Sequence, residues 1–262
     1  MIRLAANLNW LFQEIPMTER FAAAAALGFK AVEILFPYRH GVAELVRARE
    51  AAGVEVALIN SPMGEEARGE KGLACLPGRQ AEFRASLALA LDYAKALACR
   101  RLHVVAGVVP SGVDRGDCDR AYRENVRVAA DICGAAGVTA MIEPINTRDI
   151  PGFYLSDYDV AAALVREIAS PRLRLQFDFY HCQIIHGDLR RRFDAARDVL
   201  DHIQIADVPG RFEPGTGEIN YPNVLAAVDA SGYAGWVSCE YRPRTETRAS
   251  LAWAKPYGIS GN

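Results

Sequence analysis

Four polar residues lie at or near the ends of short apolar runs in this sequence. Glu143 follows T-A-M-I, Asp178 follows L-R-L-Q-F, Gln204 follows H-I, and Glu240 follows G-W-V-S-C. Short apolar runs bounded by turn residues are typical of buried strands. If these strands are neighbours and point the same way, their ends deliver three carboxylates and one amide to a single pocket.

Such a pocket could hold a metal ion and transfer protons. Burying several carboxylates together without a cation is very costly, and a divalent metal is the simplest remedy. Carboxylate and amide oxygens form a hard ligand set, which favours Mg²⁺ or Mn²⁺ over Zn²⁺. Two glutamates beside a metal-bound carbonyl could move a proton between neighbouring carbons, while the metal stabilises the enediolate between the two steps. In the alternative interpretation each carboxylate pairs with a basic side chain, of which Arg174 is the obvious candidate.

The polar residues of the four runs fall on one face of each strand. Side chains alternate across a strand, so residues two apart share a face. Ser238 and Glu240, for example, oppose Val237 and Cys239. The residues that share the polar face on the four strands are Met141, Glu143, Arg174, Gln176, Asp178, His202, Gln204, Ala206, Trp236, Ser238 and Glu240. In a barrel whose strands pack their apolar faces on helices, this polar face points inward.

The whole chain alternates between strand-like runs and helical patterns. The predicted strands lie near Arg3–Leu8, Ala31–Leu35, Glu55–Asn60, Arg101–Gly107, Thr139–Ile145, Leu173–Phe179, His202–Asp207 and Gly235–Tyr241. About eight strands alternating with about eight helices are typical of a (β/α)₈ barrel, whose active sites lie at the C-terminal ends of the strands. A doubly wound open sheet is the main alternative, but its first loop is normally glycine-rich, and here that loop reads N-L-N-W-L-F. We therefore predict one α/β barrel domain over residues 1–262.

Composition and charge narrow the class of protein. Hydrophobic residues make up 51% of the chain and charged residues 24%, with a formal net charge of −2. These values are ordinary for a globular protein and provide no basic surface for nucleic acid or anionic membranes. The six cysteines are scattered without a C-x-x-C pair, and residues 1–6 lack the pattern of a signal peptide. We therefore expect a cytoplasmic protein with reduced thiols that binds neither nucleic acid nor membrane.

Several loop residues lie where they would reach the pocket. His181 follows Asp178 by three residues, and Arg211 lies in a glycine- and proline-rich loop after the seventh strand. A guanidinium there could grip a substrate carboxylate or polarise a hydroxyl, so we predict that both residues bind substrate. The irregular segment 61–79 is either a lid or a solvated surface loop. The segment Trp10–Phe12 lines either the pocket or a subunit contact, which keeps a homo-oligomer as one expectation.

At these residues the chain resembles the hydroxypyruvate isomerase family, within a broader group of xylose-isomerase-like barrels that includes ketose 3-epimerases and endonuclease IV. The matching stretches span nearly the whole chain and read A-N-L-N-W-L-F, A-V-E-I-L-F-P-Y, M-I-E-P-I-N, Q-F-D-F-Y-H, H-I-Q-I-A-D-V-P-G-R-F-E-P-G-T-G-E-I-N-Y and V-S-C-E-Y. The resemblance implies a metal held by Glu143, Asp178, Gln204 and Glu240. It also implies that Glu143 and Glu240 are the proton-transferring pair.

The chain departs from two members of that broader group. Related 3-epimerases carry histidine where Gln204 stands, and endonuclease IV uses a histidine-rich zinc cluster that five scattered histidines cannot supply. The inward carboxylates and the resemblance together predict an isomerase that interconverts a small 2-oxo-3-hydroxy acid and its aldehyde or 3-oxo isomer. Hydroxypyruvate with tartronate semialdehyde, or a 2-oxo-tetronate with its 3-oxo isomer, would fit. A sugar 3-epimerase with a longer pocket and a noncatalytic sugar-acid binding protein are the alternatives.

Overall fold

Eight parallel strands close into a barrel in the order in which they occur along the chain. In this computed structural model, which describes residues 1–260, the strands are β1 (Arg3–Asn7), β2 (Ala31–Ile34), β3 (Glu55–Asn60), β4 (Arg101–His103), β5 (Thr139–Ile142), β6 (Leu173–Asp178), β7 (Leu200–Ile205) and β8 (Trp236–Cys239). Each strand pairs with the next one, and β8 pairs with β1 to close the ring. The (β/α)₈ barrel predicted from the sequence is therefore confirmed.

Some observed strands end earlier than the sequence predicts. β4 ends at His103 rather than at residue 107, and β5 ends one residue before Glu143. Beyond β4 the backbone bridges loop residues instead of a neighbouring strand: Ala106 pairs with Gly72, and residue 108 pairs with residue 153. The strand ends that surround the pocket are therefore fixed by loop contacts, which the alternating pattern of the sequence does not show.

Helices cover the outside of the barrel. They are α1 (Met17–Ala26), α2 (Val42–Ala52), α3 (Gln80–Ala96), α4 (Arg115–Ala135), α5 (Tyr158–Ile168), α6 (Phe179–Ile185), α7 (Leu189–Ala196), α8 (Tyr221–Ala230) and α9 (Thr247–Ser250), with 3₁₀ turns at Pro37–Arg39, Glu66–Arg68 and Ala252–Tyr257. Asp114 and Asp157 precede α4 and α5, and their side chains accept hydrogen bonds from backbone N–H groups of the first turn. α2 is followed by Gly53 with φ of 64°, a left-handed conformation that glycine adopts without strain.

The two faces of each strand have different roles. On β6, Phe177 is fully buried and its ring lies 5.0 Å from that of Phe179 and 6.0 Å from that of Phe193. Burial of such large apolar side chains against the helices stabilises the barrel. Gln176 and Asp178, on the other face of the same strand, are 1% and 0% exposed. The predicted alternation therefore places polar side chains inside the barrel.

One buried carboxylate organises the loop between β7 and α8. Asp207 is 1% exposed and accepts hydrogen bonds of 2.9–3.1 Å from the backbone N–H groups of Val208, Gly215, Thr216, Gly217 and Ile219. A Cβ on Gly217 would lie 1.9 Å from the backbone oxygen of Val208, so this close turn requires glycine. Arg211 lies within the same loop, and its position therefore depends on Asp207.

Replacing Asp207 with asparagine is expected to destabilise the protein by about 2–4 kcal/mol. The amide puts an NH₂ group where one oxygen now accepts from backbone N–H donors, so at least two of the five hydrogen bonds are lost. Each kcal/mol lowers Tm by about 2–4 °C in a chain of this size, which a thermal melt resolves. Glu218→Gln, an exposed change in the same loop, is the matched control. An unchanged Tm for Asp207→Asn would contradict the anchoring role.

Two expectations about the chain as a whole can be compared with the structure. Within residues 1–260, no helix is both long enough and apolar enough to cross a membrane. All six cysteines are buried, and none is bonded to another in this part of the chain. Burial raises the pKa of thiols such as Cys99 and Cys133 to about 12, the opposite of what a reactive cysteine requires.

Candidate active site

A cavity of about 150 Å³ lies at the C-terminal ends of the barrel strands. The polar side chains that line it are Asn60, Lys71, His103, Glu143, Asp149, His181, Arg211 and Glu240. Cavities that hold drug-sized ligands measure about 300–1,000 Å³, so this cavity suits a small molecule. Of the four predicted metal ligands, Glu143 and Glu240 line the cavity. Asp178 contacts Arg211, which also lines it.

The apolar segment after β1 faces inward. Trp10 lines the cavity, whereas Leu11 and Phe12 are 0% and 4% exposed inside the protomer. The prediction that this segment lines the pocket is therefore confirmed for Trp10. A subunit contact through Leu11 and Phe12 is wrong, because neither side chain reaches the surface. The oligomeric state itself stays a prediction.

Arg211 joins two of the carboxylates. Its guanidinium lies between the rings of Trp10 and Tyr180, 4.8 Å from each centroid, and both ring faces attract the cation. Its Nη2 donates to Glu240 Oε2 at 2.7 Å and lies 3.5 Å from Asp178 Oδ2. Arg211 adopts a left-handed φ of 54°, which is unfavourable for a residue with a Cβ and must be stabilised by these contacts.

The basic partner of the carboxylates is therefore not Arg174. Nη1 of that side chain donates to the backbone oxygen of Asp198 at 3.0 Å, away from the cavity. The alternative interpretation of the sequence named the wrong arginine, because Arg211 reaches the carboxylates from a loop and not by strand alternation. Three carboxyl groups lie beside one guanidinium, which gives a formal charge of −2 when all three are ionised.

A chain of hydrogen bonds connects Gln204 to Glu143 and fixes both amide orientations. Gln204 Nε2 donates to the two oxygens of Glu33, at 3.1 Å each, so its Oε1 points the other way. Gln176 Nε2 donates to that Oε1 at 2.6 Å and to Glu143 Oε2 at 2.8 Å. An ionised carboxylate only accepts hydrogen bonds, so Glu33 must face the NH₂ group of Gln204. Gln204 then presents its oxygen to Gln176, which must present its own NH₂ group. Glu143 Oε1 has no hydrogen-bond partner within residues 1–260, and its side chain lines the cavity.

Glu33, which lies wholly buried in β2, is a residue of the site that was not predicted from the sequence. Besides Gln204, its carboxylate contacts Asn7 Nδ2 at 2.7 Å, Ser238 Oγ at 2.5 Å and His202 Nε2 at 2.7 Å. Because β2 and β7 are not neighbours in the ring, the contact with His202 crosses the barrel interior. Burial opposes ionisation of Glu33, but these partners outweigh it and hold the pKa of the carboxyl below its ordinary value. The signal was present in A-V-E-I, where one charged residue interrupts an apolar run.

Burial raises the pKa of the three carboxyl groups at the cavity. Burial and the negative charges of Glu240 and Asp178 raise the pKa of Glu143 well above its ordinary value. Burial also raises the pKa of Glu240 to about 8 and that of Asp178 to about 6, although Arg211 acts in the opposite direction on both. A carboxyl group with a pKa near neutrality can both take and give a proton at physiological pH. The site therefore contains acid–base groups suited to proton transfer.

His181 is neutral and carries its proton on Nε2. Asn146 Oδ1 accepts from the N–H of Asp149 at 2.8 Å, which directs Asn146 Nδ2 toward His181 Nδ1 at 2.7 Å. Two donors of Asn146 face Nδ1, which makes it the acceptor and assigns the proton to Nε2; that atom lies 3.6 Å from Asp178 Oδ2 and 3.5 Å from Arg211 Nη1. Burial, assisted by the charge of Arg211, lowers the pKa of His181 well below its ordinary value. A neutral N–H donor beside the cavity fits the predicted role of His181 in binding substrate.

Two further buried side chains at the cavity have polar atoms without protein partners. Both ring nitrogens of His103 and Oδ1 of Asn60 form no hydrogen bond with any residue that the structure describes. Their side chains line the cavity, and the residues are 1% and 6% exposed. Burial lowers the pKa of His103 to about 3, so its imidazole is neutral. Buried polar groups without partners are rare in folded proteins, and these two are placed to contact a ligand.

The residues present fit a divalent cation. Ligand atoms of Glu143, Asp178 and His181 lie within 4.8 Å of one another, a spacing that one ion can bridge. This group includes Glu143 and Asp178 but not Glu240, and the places of Glu240 and Gln204 among the ligands stay a prediction. Oxygen ligands suit Mg²⁺ or Mn²⁺, and the formal charge of the site matches a divalent ion. The identity of the metal stays a prediction.

The metal-free protein is expected to lose stability as the pH rises from about 7 to 8. In the unfolded chain the carboxyl groups are ionised throughout this range, whereas folded Glu240, with a pKa of about 8, retains its proton. Stability contributed by a raised pKa is lost as the pH rises through the folded value. For each proton that only the folded protein retains, the free energy of unfolding falls by about 1.4 kcal/mol per pH unit. His103 and His181 are neutral in the folded protein but titrate near pH 6.5 in the unfolded chain, so they oppose this effect near pH 6.5 and contribute little above about pH 7.

Thermal melts in chelator at several pH values measure this effect. Tm should fall by roughly 2–4 °C for each kcal/mol lost. Glu240→Gln removes one of the two glutamates with a raised pKa and should weaken the dependence. A Tm that rises across the same range in the unaltered protein would contradict the raised pKa.

Comparisons with known proteins agree with this geometry. A family model for the xylose isomerase-like TIM barrel matches residues 21–257. A 2-oxo-tetronate isomerase from Cupriavidus necator is 49% identical over 257 residues, which cover 98% of this chain and 99% of that protein. A hydroxypyruvate isomerase from Escherichia coli is 41% identical over 257 residues, which cover 98% of this chain and 100% of that protein.

A solved structure is also closely similar. The crystal structure of a protein described as AP endonuclease, family 2, from Brucella melitensis superimposes with a TM-score of 0.95 at 43% identity, over 98% of this chain and 99% of that one. The family resemblance drawn from the motifs is thus confirmed over nearly the whole length. The chain belongs to the xylose isomerase-like TIM barrel family, in its branch of hydroxypyruvate and 2-oxo-tetronate isomerases, and is an enzyme of the isomerase class.

Proposed function

We propose that this enzyme interconverts a short 2-oxo-3-hydroxy acid and its aldehyde or 3-oxo isomer. One observation carries the proposal: Glu143 and Glu240, both with raised pKa, line the same small cavity. Two such groups can remove a proton from one carbon and return one to its neighbour. The names of the relatives make hydroxypyruvate and a 2-oxo-tetronate the first substrates to test.

The two glutamates share the proton transfer in this proposal. One carboxylate takes the proton from the hydroxyl-bearing carbon beside the oxo group, and the electron pair becomes an enediolate. The other carboxyl gives a proton to the former carbonyl carbon. The hydroxyl proton passes to the former carbonyl oxygen, so the carbonyl moves by one carbon and the composition is unchanged. Gln176 holds Oε2 of Glu143 at 2.8 Å, and Arg211 holds Oε2 of Glu240 at 2.7 Å. Each carboxyl group is thereby oriented before substrate arrives.

The proposal includes a divalent metal, Mg²⁺ or Mn²⁺, held by Glu143, Asp178, Gln204 and Glu240. When bound, such an ion would supply positive charge opposite the oxyanion that develops on the substrate. The formal charge of the buried carboxylate cluster and its raised pKa values support a cation there. His181 offers its Nε2–H as a donor to a substrate oxygen. Arg211 partly offsets the effect of burial on the pKa of Glu240 and holds its carboxyl group in place.

Two other activities are less well supported. A cavity of about 150 Å³ favours a short acid over a six-carbon ketose, which argues against a sugar 3-epimerase. The description of the similar Brucella melitensis protein raises DNA cleavage as a second possibility. Binding of duplex DNA depends on positive charge that contacts phosphates, and this chain has a formal net charge of −2.

A substrate panel tests the proposed function. Hydroxypyruvate, a 2-oxo-tetronate, a six-carbon ketose and a DNA duplex with an abasic site are each incubated with Mg²⁺, with Mn²⁺ and with chelator. The kcat/KM for one of the short acids should exceed that for the ketose by about 10²-fold or more, with no cleavage of the duplex. Epimerisation of the ketose alone would overturn the proposal. Stabilisation by an acid without any turnover would instead indicate a binding protein.

A further inference from the structure

Two basic side chains line the cavity, and they approach from opposite sides. Arg211 lies after β7, where Glu240 and two aromatic rings already engage its guanidinium. Lys71 lies between β3 and α3, which is across an eight-stranded ring from β7. Within residues 1–260 the Lys71 ammonium forms no ion pair, whereas its neighbour Glu70 pairs with Arg79 at 2.5 Å. The positive charge of Lys71 is therefore available to a ligand.

The backbone beside Lys71 is attached to the rim of the barrel. The N–H of Gly72 donates to the backbone oxygen of Met63 at 2.8 Å, and Gly72 bridges Ala106 just beyond β4. A Cβ on Gly72 would lie 2.5 Å from the backbone oxygen of Val105, at a φ of +128° that favours glycine. These contacts hold the start of the Lys71 side chain at the mouth of the cavity. Whether the rest of segment 61–79 closes as a lid stays a prediction.

The polar atoms without partners lie on the same side of the cavity as Lys71. Asn60 ends β3 and His103 ends β4, so both are next to the strands from which Lys71 approaches. His103 presents an imidazole and Asn60 an amide, and His103 Nδ1 lies 3.4 Å from Glu143 Oε2, where this side of the cavity meets the carboxylates. The carboxylates, by contrast, lie on β5, β6 and β8 or directly after them. The cavity therefore has an anionic side, which contains the acid–base groups, and a side that offers an ammonium and neutral polar groups.

We propose that Lys71, with His103 and Asn60, forms the subsite for the carboxylate of the substrate. The inference rests on the proposed function, because it assumes an acid as the substrate. A carboxylate placed among Glu143, Asp178 and Glu240 would be repelled, whereas the ammonium of Lys71 attracts it. This orientation directs the oxo and hydroxyl carbons toward the two glutamates. It also selects acids over neutral sugars of the same length.

Replacing Lys71 with methionine tests the subsite. For hydroxypyruvate, KM should rise by about 10- to 100-fold, as expected for a lost hydrogen bond to a charged group, with kcat changed by less than about 3-fold. Dihydroxyacetone has the same carbon chain and oxo group without the carboxylate, and its kcat/KM should change by less than about 3-fold. Lys71→Arg should restore most of the affinity for the acid. Lys95→Met, at an exposed position on α3, is the matched control.

A binding measurement separates this inference from the proposed function. Glycerate has the carboxylate but no oxo group, so it cannot be isomerised, and calorimetry reports its affinity directly. Weaker binding of glycerate to Lys71→Met supports the subsite even if no short acid is turned over, a result that would overturn only the proposed function. Unchanged KM and unchanged glycerate affinity in Lys71→Met would overturn the subsite. An equal loss with hydroxypyruvate and dihydroxyacetone would also overturn it, because the carboxylate would then have no part in the effect.

Discussion

Replacing Glu143 or Glu240 with glutamine is expected to lower kcat for the preferred short acid by about 10²–10⁴-fold. Glutamine keeps the size of the side chain and its contact with Gln176 or Arg211, but it can neither take nor give the substrate proton. The loss should appear in kcat, because the groups that bind the rest of the substrate are unchanged. Steady-state kinetics of both variants at saturating metal measure it.

Thermal melts of the same two variants show whether a loss of activity comes from loss of folding or from loss of proton transfer. Burial raises the pKa of both carboxyl groups, so their replacement by a neutral amide should leave Tm unchanged or raise it in chelator. Glu246→Gln, at an exposed position beyond β8, is the control and should keep full activity. Activity within tenfold of the unaltered enzyme in both active-site variants would contradict the assignment of the two glutamates.

Removal of the metal is expected to lower kcat by at least about 10²-fold, with recovery on addition of Mg²⁺ or Mn²⁺. One guanidinium beside three buried carboxylates leaves negative charge that would oppose formation of a further oxyanion. A divalent ion would compensate it. Dialysis against chelator, elemental analysis and assays with each ion form the measurement.

Asp178→Asn is the companion variant for the metal. Asp178 is one of the carboxylates near Glu143, but the proposal gives it no proton to transfer. Its replacement should raise the metal concentration needed for half-maximal activity while much of the activity returns at high metal. Full activity of the unaltered protein after chelation, with no metal found by elemental analysis, would show that Arg211 alone supplies the necessary charge.

The sequence predicts the barrel well because the determinants are local. Apolar runs such as T-A-M-I and L-R-L-Q-F are short, regularly spaced and bounded by turns, which leaves few folds open. Alternation along β6 and β8 also predicts that Asp178 and Glu240 face inward, and both are buried there. The ends of the strands are less predictable. β4 stops at His103 because Gly72 and other loop residues pair with the backbone beyond it.

The contacts within the site are harder to read from the sequence, because they join distant segments. The hydrogen bonds of Glu33 with His202 and Gln204 connect β2 with β7, which lie across the barrel from one another. Arg211 reaches Glu240 only through the conformation of a loop that Asp207 organises. Alternation gives the face on which a side chain lies, but it does not give the partner that the side chain meets.

Incorporation of solvent deuterium into the substrate tests the central claim most directly. The enzyme is incubated with hydroxypyruvate or a 2-oxo-tetronate in D₂O, and exchange at the carbon beside the oxo group is followed by NMR for the unaltered protein, Glu143→Gln and Glu240→Gln. The account predicts exchange in the unaltered enzyme, no net isomerisation by either variant, and loss of exchange in at least one of them. Exchange at the unaltered rate in both variants would contradict proton transfer by Glu143 and Glu240.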